Sequence, residues 1–239
     1  MTLQDASDAF VAGWTATRRL TGPYEAIPQG EATLAHDPTG KRMSELVCVD
    51  LAPTRAVELY PKEQRGAICA IYSPSEDLHA RKKAFRALGW RLLRTEPMFV
   101  HHLRDLPLTD PRIARASSPE HVARICKAAK MRPASMGIDD EDDATIRLYE
   151  ASVDGQNVGW VRSIRAGQQD AWVSSLNVHE EFRRQGYGAG LMAALLRDDA
   201  RLGRRASVLL ASHTGALLYP RLGYERLGTL MFLMREKTG

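Results

Sequence analysis

Three consecutive segments in the second half of the chain alternate apolar and polar positions. They cover 145–153, 158–164 and 171–178, and turn pairs at Asp154–Gly155 and Ala166–Gly167 separate them. Alternation of period two between glycine-containing turns is typical of antiparallel strands. The pattern therefore predicts three antiparallel strands in succession.

Helical and strand-like patterns precede and follow this group. Before it, a strand over Arg112–Ala116 leads to Ser118 and Pro119, which predict the N-cap and first turn of an amphipathic helix. The elements predicted after residue 186 are a helix with an apolar face at Leu191, Met192, Leu195 and Leu196, a strand over Ala206–Ala211, a helix around Gly215–Leu222 and a strand over Thr229–Met234. The order β-α-β-β-β-α-β-α-β predicts an α/β fold of the α+β type, with a mixed, largely antiparallel central sheet flanked by helices.

The first half of the chain repeats part of this pattern. Phe85–Trp90 can be laid on the sequence 134 residues further on, which matches Gly89 with Gly223. Upstream, Arg65–Ile71 mirrors Arg205–Ala211, and each follows a helical segment. The match favours an internal duplication, although a shared helix-glycine-aromatic turn can also arise by chance.

A change in pattern between the two halves predicts a domain boundary. The strand-like run Met98–Val100 is followed by His101–Pro111, which has two prolines and mixed polarity. A chain of 239 residues with 44% hydrophobic content can bury two small cores. We therefore expect domains at 1–105 and 106–239.

The cysteines and the length of the apolar runs indicate the cellular compartment in which the protein is expected. Cys48, Cys69 and Cys126 are odd in number, far apart and set among apolar residues, which favours buried thiols in a reducing cytoplasm. No basic leader and no apolar run of about 20 residues occurs in the sequence. The expectation is a cytoplasmic protein without a membrane partner.

The net charge of +4 is confined to the second half, because the first 110 residues carry equal numbers of basic and acidic side chains. The excess gathers around 183–184 and 201–205, which is a small patch rather than a long aromatic-studded stripe. An ordinary solvated arginine surface also explains 201–205. The distribution suits a phosphorylated small ligand better than a nucleic acid.

Glycines at the end of the third strand predict an anion site. In the segment Arg183–Gly190, Gly186 and Gly188 open a helix, where free backbone N–H groups and the helix dipole favour a phosphate. A dinucleotide fingerprint requires glycine where Leu191 stands, and a Walker loop requires Gly-Lys-Ser/Thr, which is absent from the sequence. Spacing thus excludes both of these phosphate loops.

Two motifs resemble those of one family. Arg183-x-x-Gly186-x-Gly188 is similar to motif A of the GNAT superfamily of acetyltransferases. Downstream, Ser212 is followed seven residues later by Tyr219 and then by a Gly-aromatic pair at 223–224, which resembles motif B of the same family. The resemblance covers about 112–239 and implies the acyl-CoA N-acyltransferase fold.

The resemblance also implies acetyl-CoA as the co-substrate, with no metal. Its pantetheine arm would bind the backbone of Leu176, Asn177 and Val178, in a cleft between the strands 171–178 and 206–211. The residues implied in binding the pyrophosphate are Arg183, Arg184, Gln185, Gly186, Tyr187, Gly188, Ala189 and Gly190. Ser212 stands where the family more often has asparagine, so a contact with CoA there is expected with less reach.

In such enzymes an amine attacks the thioester directly, so catalysis depends on orientation and on stabilising the oxyanion and the thiolate. The Val178 N–H is the expected oxyanion donor. Tyr219, with an ordinary pKa of about 10, is the expected acid for a thiolate whose pKa is about 8.5. Glu150 lies on a strand that could line the cleft and is the candidate base; His179, Glu180, His213 and a water relay are alternatives.

The acceptor is expected to be a small-molecule or peptide amine. The acidic run Asp139–Asp143 would attract a cationic amine, although a solvated loop is the simpler interpretation and the one that the composition favours. Monomer and homodimer both remain open.

We expect a tandem N-acetyltransferase whose first half is a degenerate copy without the phosphate loop, which implies one active site in each chain. Two other functions remain open. One is a non-catalytic CoA-binding regulatory module, and the other is an acyltransferase that uses longer acyl-CoA.

Overall fold

The computed structural model describes residues 1–62, 64–131 and 145–236, so the acidic run 139–143 lies outside the described residues. The chain forms two compact units. The first comprises Met1–Phe99, Leu210–Ala216 and Arg226–Gly239, and the second comprises Val100–Leu209 and Leu217–Glu225.

Three helices and five strands begin in the first ninety-nine residues. The helices are α1 (Leu3–Arg19), α2 (Pro53–Leu59) and α3 (Leu78–Ala87), and the strands are β1 (Glu25–Gln29), β2 (Ala32–His36), β3 (Ser44–Val49), β4 (Gly66–Tyr72) and β5 (Trp90–His101). Side chains define the helix starts: Thr2 and Asp5 form a reciprocal capping box on α1, and Asp77 caps α3. Strand order in the first unit is β1-β2-β3-β4-β11-β5, where β11 is Glu225–Arg235.

The second unit is a meander of strands with a helix before it and another after it. Its elements are β6 (Ile113–Arg115), α4 (Pro119–Ala128), β7 (Ile146–Val153), β8 (Gln156–Ala166), β9 (Asp170–Val178), α5 (Tyr187–Arg201) and β10 (Ala206–Leu210). Strand order is β10-β9-β8-β7-β6. The apolar face of α5, with Leu191, Leu195 and Leu196 fully buried, covers β7, β8 and β9.

The predicted fold class is confirmed. Strands β3 and β4 pair in parallel, as do β9 and β10, whereas the pairs β1–β2, β2–β3, β6–β7, β7–β8, β8–β9 and β4–β11 are antiparallel. Ser118 caps α4 at the predicted position. The helix predicted around 215–222 consists instead of two short 3-10 turns, Gly215–Leu217 and Tyr219–Leu222, because Pro220 lacks an N–H and disfavours an α conformation at the residue before it.

The compact units do not follow a single cut between residues 105 and 106. The last strand, β11, pairs with β4 from Thr229 opposite Tyr72 to Met234 opposite Ala67. Its backbone hydrogen bonds and its buried side chains, such as Met231 and Leu233, therefore belong to the first unit. A boundary drawn along the chain cannot represent a strand that pairs with a distant part of the sequence.

Both halves contain the same succession of a helix, three antiparallel strands, a helix, a parallel strand, a helical segment and a last strand. Gly89 and Gly223, which the sequence match pairs, both have positive φ, 79° and 86°, and each ends its helical segment just before β5 or β11. The link between β3 and α2 is only Asp50–Ala52, without glycine, whereas residues 179–186 link β9 to α5. The first half thus lacks a counterpart of the glycine loop.

The three cysteines are buried free thiols. Across the described ranges, no helix is both long and apolar enough to cross a membrane. In the same ranges, no group of three His, Cys, Asp or Glu side chains is arranged to hold a metal ion.

Candidate active site

The site begins at a bulge in β9. Arg162 of β8 pairs with Ser174 and Trp160 pairs with Asn177, so two residues of β9 oppose one residue of β8. Ser175 adopts φ 57°, which is uncommon for a residue other than glycine. Such a bulge changes the direction of the strand that follows, here Leu176–Val178.

The same segment has one edge unpaired. The parallel pairing of β10 with β9 runs from Ala206 opposite Asp170 to Val208 opposite Trp172, and no later pair is formed among the described residues. This agrees with the expected separation of the two strands. His179 donates its N–H to Val158 of β8. Because successive peptide groups of a strand point to opposite sides, the Val178 N–H points to the side where pairing with β10 has ended.

The loop after β9 leads into α5 without a side-chain cap. Gly186 is the N-cap residue and has φ 87°, a conformation that favours glycine. Among the residues that the structure describes, no side chain caps α5, so the N–H groups of its first turn are available to an anion. Arg183 and Arg184 are exposed, and Arg183 donates from Nε to the Val178 carbonyl at 3.1 Å.

Three of the predicted phosphate-loop positions differ in role. A Cβ at Gly188 would lie 3.6 Å from Leu218, an ordinary contact, so this position is open to the surroundings. A Cβ at Gly190 would lie 2.9 Å from Asp110, and the Gly190 N–H already donates to Gly186. Tyr187 is buried, with the Arg112 guanidinium 4.3 Å from its ring centre. Gly190 and the Tyr187 ring therefore pack the start of α5.

Tyr219 lies in the second 3-10 turn and is only 7% exposed. Its ring meets Tyr224 edge-on at 5.5 Å, and the Tyr224 hydroxyl is 2.9 Å from the Ser207 hydroxyl. Burial raises the pKa of Tyr219 to about 12, so the hydroxyl keeps its proton across the physiological range. The arrangement holds a protonated phenol at a buried position.

Glu150, expected as a base, has a different setting. It is 1% exposed, and its two oxygens accept hydrogen bonds from Arg124, Asn157 (2.7 Å) and His121 (2.8 Å). Burial alone would raise the pKa of Glu150, but the hydrogen bonds from Arg124 and Asn157 and the charge of Arg124 hold it below its ordinary value. A carboxylate whose pKa is lowered in this way is a weak base and is poorly suited to take a proton from an amine.

Glu150→Gln is expected to weaken the decrease in the free energy of unfolding as the pH is lowered. A carboxyl whose pKa is lower in the folded than in the unfolded state stabilises the fold above its unfolded pKa of about 4, and this contribution is lost as the pH falls through the folded value. Urea unfolding between about pH 6 and 3 should therefore show a weaker pH dependence in Glu150→Gln than in the wild type. Glu225→Gln, at an exposed position, is the control. An unchanged slope would contradict the ion-paired role of Glu150.

The other candidate residues have contacts of their own. The Ser212 hydroxyl accepts the Gly215 N–H at 3.1 Å and so caps a 3-10 turn in the first unit. His213 hydrogen-bonds to Thr95 at 2.9 Å, also in the first unit. His179 packs edge-on against Trp160 at 5.5 Å, and Glu180 is exposed.

A buried ionic network fixes the far end of α5. Arg147 of β7 pairs with Asp199, which is fully buried, and reaches Asp198 at 3.3 Å. Ser163 donates to Asp199 at 2.8 Å, and Tyr149 donates to Asp198 at 2.6 Å. This network was not predicted from the sequence, although two adjacent aspartates on a helix, with arginine and serine inside apolar strands, are a signal for it.

The fold is shared with solved structures of acetyltransferases. Over 95% of its length the chain superposes on 96% of a GCN5-related N-acetyltransferase from Kribbella flavida, with a TM-score of 0.67 and 17% identity. A GCN5-related N-acetyltransferase from Sphaerobacter thermophilus matches with a TM-score of 0.55 and 15% identity, covering 98% of this chain and 93% of that one. A tandem GNAT protein from the clavulanic acid biosynthesis pathway matches with a TM-score of 0.51 and 14% identity, covering 98% and 95%. At these identities the likeness shows the shared acyltransferase fold.

The family follows from the sequence of the second half. Residues 144–226 match the family model described as an acetyltransferase (GNAT) domain. This part of the chain is a GNAT acetyltransferase domain, and the chain is by class an acyl-CoA-dependent N-acyltransferase. No curated protein matches the chain by sequence.

Proposed function

We propose that the protein transfers an acetyl group from acetyl-CoA to a primary amine by direct attack. The observation that carries the proposal is the start of α5, where Gly186 and Gly188 leave the first-turn N–H groups uncapped next to the exposed Arg183 and Arg184. Such a start suits a pyrophosphate, since backbone donors and the helix dipole act on the same anion.

Two groups of the second unit, the Val178 N–H and the Tyr219 hydroxyl, would then assist the reaction. The amine nitrogen attacks the thioester carbon, and the Val178 N–H on the unpaired edge of β9 stabilises the developing oxyanion. As the carbon–sulfur bond breaks, the thiolate takes the proton of the Tyr219 hydroxyl. The attacking nitrogen gives up its proton to water, and water returns a proton to the Tyr219 phenolate. Glu150 is not assigned this role, because its lowered pKa makes it a weak base.

We further propose that the first half is a degenerate copy of the same fold. The repeated order of elements, the paired glycines Gly89 and Gly223 and the short glycine-free link Asp50–Ala52 support this proposal. A copy without the loop would leave one acetyl-CoA site in each chain. Titration of the protein with CoA by calorimetry should then give a stoichiometry of one.

The direct test is thiol release from acetyl-CoA in the presence of a panel of primary amines. Release that depends on the amine supports acetyl transfer. Binding of CoA without release with any amine would instead favour a regulatory CoA-binding module, and faster release from longer acyl-CoA would favour a different acyl donor.

Gly188→Glu tests the CoA site itself. The new side chain has room, because a Cβ at this position makes only an ordinary contact, but its carboxylate would face the pyrophosphate. We expect the thermal stabilisation by CoA to be lost, while the melting temperature without CoA changes little. Gly188→Gln, which has the same size without the charge, should retain most of the stabilisation. Retention of the full shift in Gly188→Glu would refute the site.

A further inference from the structure

A buried arginine lies beside the bulge of β9. Arg162 of β8 is 8% exposed. Its Nε donates to the Ser174 hydroxyl at 3.1 Å, and its Nη2 donates to the Ser175 hydroxyl at 2.9 Å. In the part of the chain that the structure describes, no carboxylate forms an ion pair with it.

The environment of Arg162 is unusual because buried charges in proteins are nearly always paired. Burial lowers the pKa of its guanidinium, and the opposing influence comes from the Cys126 thiol, which burial itself keeps protonated by raising its pKa. Two neutral hydroxyls occupy two of the five N–H donors of the guanidinium. Three donors remain for a further acceptor, next to Ser175, which is exposed.

The position of Arg162 places its three remaining N–H donors nearer to the acceptor than to the phosphates of CoA. Ser174 and Ser175 come directly before Leu176–Val178 in the chain. The loop proposed for the pyrophosphate comes directly after Val178, at the opposite end of this segment. Gly159 pairs with Val178, and Arg162 is three residues further along the same strand, or about 10 Å at roughly 3.3 Å per residue. An anion bound there would lie away from the phosphates of CoA and within reach of an acceptor of amino-acid or dipeptide size.

We propose that Arg162, with Ser174 and Ser175, binds a carboxylate of the acceptor, so that the substrate is an amine that also carries a carboxyl group. A planar guanidinium with unused N–H donors matches a carboxylate in a two-point hydrogen bond. The inference rests on the proposed acetyl transfer and narrows its acceptor to amino acids and short peptides with a free carboxyl end.

The test compares acceptors that differ only in this group. Thiol release from acetyl-CoA is measured with a panel of amino acids and dipeptides and with their matched carboxamides. The wild type should show a kcat/KM at least about tenfold higher for the carboxylates. In Arg162→Gln, KM for the carboxylates should rise about 30-fold or more, as expected for removing one partner of a buried charge pair, and the ratio between the two series should approach one.

Control variants separate substrate recognition from structural roles. Arg162→Lys keeps the charge and should retain part of the preference. Arg165→Gln makes the same change in the same strand on its opposite face, and it should leave the preference intact. Stabilisation by CoA should persist in Arg162→Gln, and the melting temperature of Arg162→Met should be equal to or above that of the wild type, since a residue kept for binding is often a cost to stability.

Several results would overturn the inference. Equal losses for carboxylates and carboxamides, or a melting temperature of Arg162→Met several degrees lower, would assign Arg162 to holding the bulge. Loss of the CoA-induced shift would assign it to the co-substrate. Turnover of simple amines with none of the carboxylate panel would end the inference but leave acetyl transfer intact, whereas no thiol release and no CoA-induced shift would end the proposed function itself.

Discussion

Tyr219→Phe is expected to lower kcat by about 10²- to 10⁴-fold, the range that a positioned acid contributes to a proton-transfer step. The change removes only the hydroxyl, because the phenylalanine ring can keep the edge-on contact with Tyr224 at 5.5 Å. Thermal stabilisation by CoA should remain, since the phosphate loop is untouched. The measurement is steady-state thiol release with an acceptor that the wild type uses.

The pH profile sharpens this prediction. Because burial raises the pKa of Tyr219 to about 12, the acid keeps its proton up to about pH 10, and kcat should not fall on the alkaline side through its ionisation. Tyr224→Phe is the matched control: it removes a fully buried hydroxyl that bonds to Ser207, at a cost of about 1 kcal/mol in stability and little in kcat. If Tyr219→Phe kept the wild-type kcat, the thiolate would have to take its proton from another donor.

Removing either partner of the Arg147–Asp199 pair is expected to lower the free energy of unfolding by about 3–5 kcal/mol. Arg147 is 2% exposed and Asp199 is fully buried. Arg147→Met therefore removes the ion pair of a buried carboxylate, and Asp199→Leu leaves the Arg147 guanidinium with only its longer contact to Asp198 at 3.3 Å. The expected variants are Arg147→Met and Asp199→Leu, measured by urea unfolding. Such a loss is a large fraction of the roughly 5–15 kcal/mol that stabilises a typical domain.

Replacing both charged residues and the serine between them tests whether the loss in each single variant comes from the buried charge that is left behind. The triple variant Arg147→Met, Ser163→Ala and Asp199→Leu removes both charges and the hydroxyl that bridges them, and it should recover most of the lost stability. Arg201→Ala is the exposed control on the same helix, and its effect should stay within about 0.5 kcal/mol. Additive losses in the triple variant would show that packing, not the buried charges, accounts for the single effects.

The strands and the glycine loop could be predicted because their signals are local. Alternation over 145–178 predicts three strands, and Ser118 with Pro119 predicts the start of α4, since a cap needs only residues three positions away. The helix predicted at 215–222 was wrong in type, because Pro220 restricts the residue before it and the segment forms 3-10 turns. The proposed role of Tyr219 rests on motif spacing, but its burial could not be read from that spacing.

The sequence by itself determined the order of elements, the glycines at the start of α5 and the resemblance that led to the GNAT domain, because each depends on residues that are close along the chain. Only the tertiary structure decided that β11 pairs with β4, that Glu150 is held by Arg124 and that Arg162 donates to the hydroxyls of two serines. These facts depend on contacts between distant residues, and no local pattern specifies which strand edge or which buried charge a side chain will meet. For the same reason the free donors of Arg162, and with them the proposed carboxylate of the acceptor, emerged only from the folded chain.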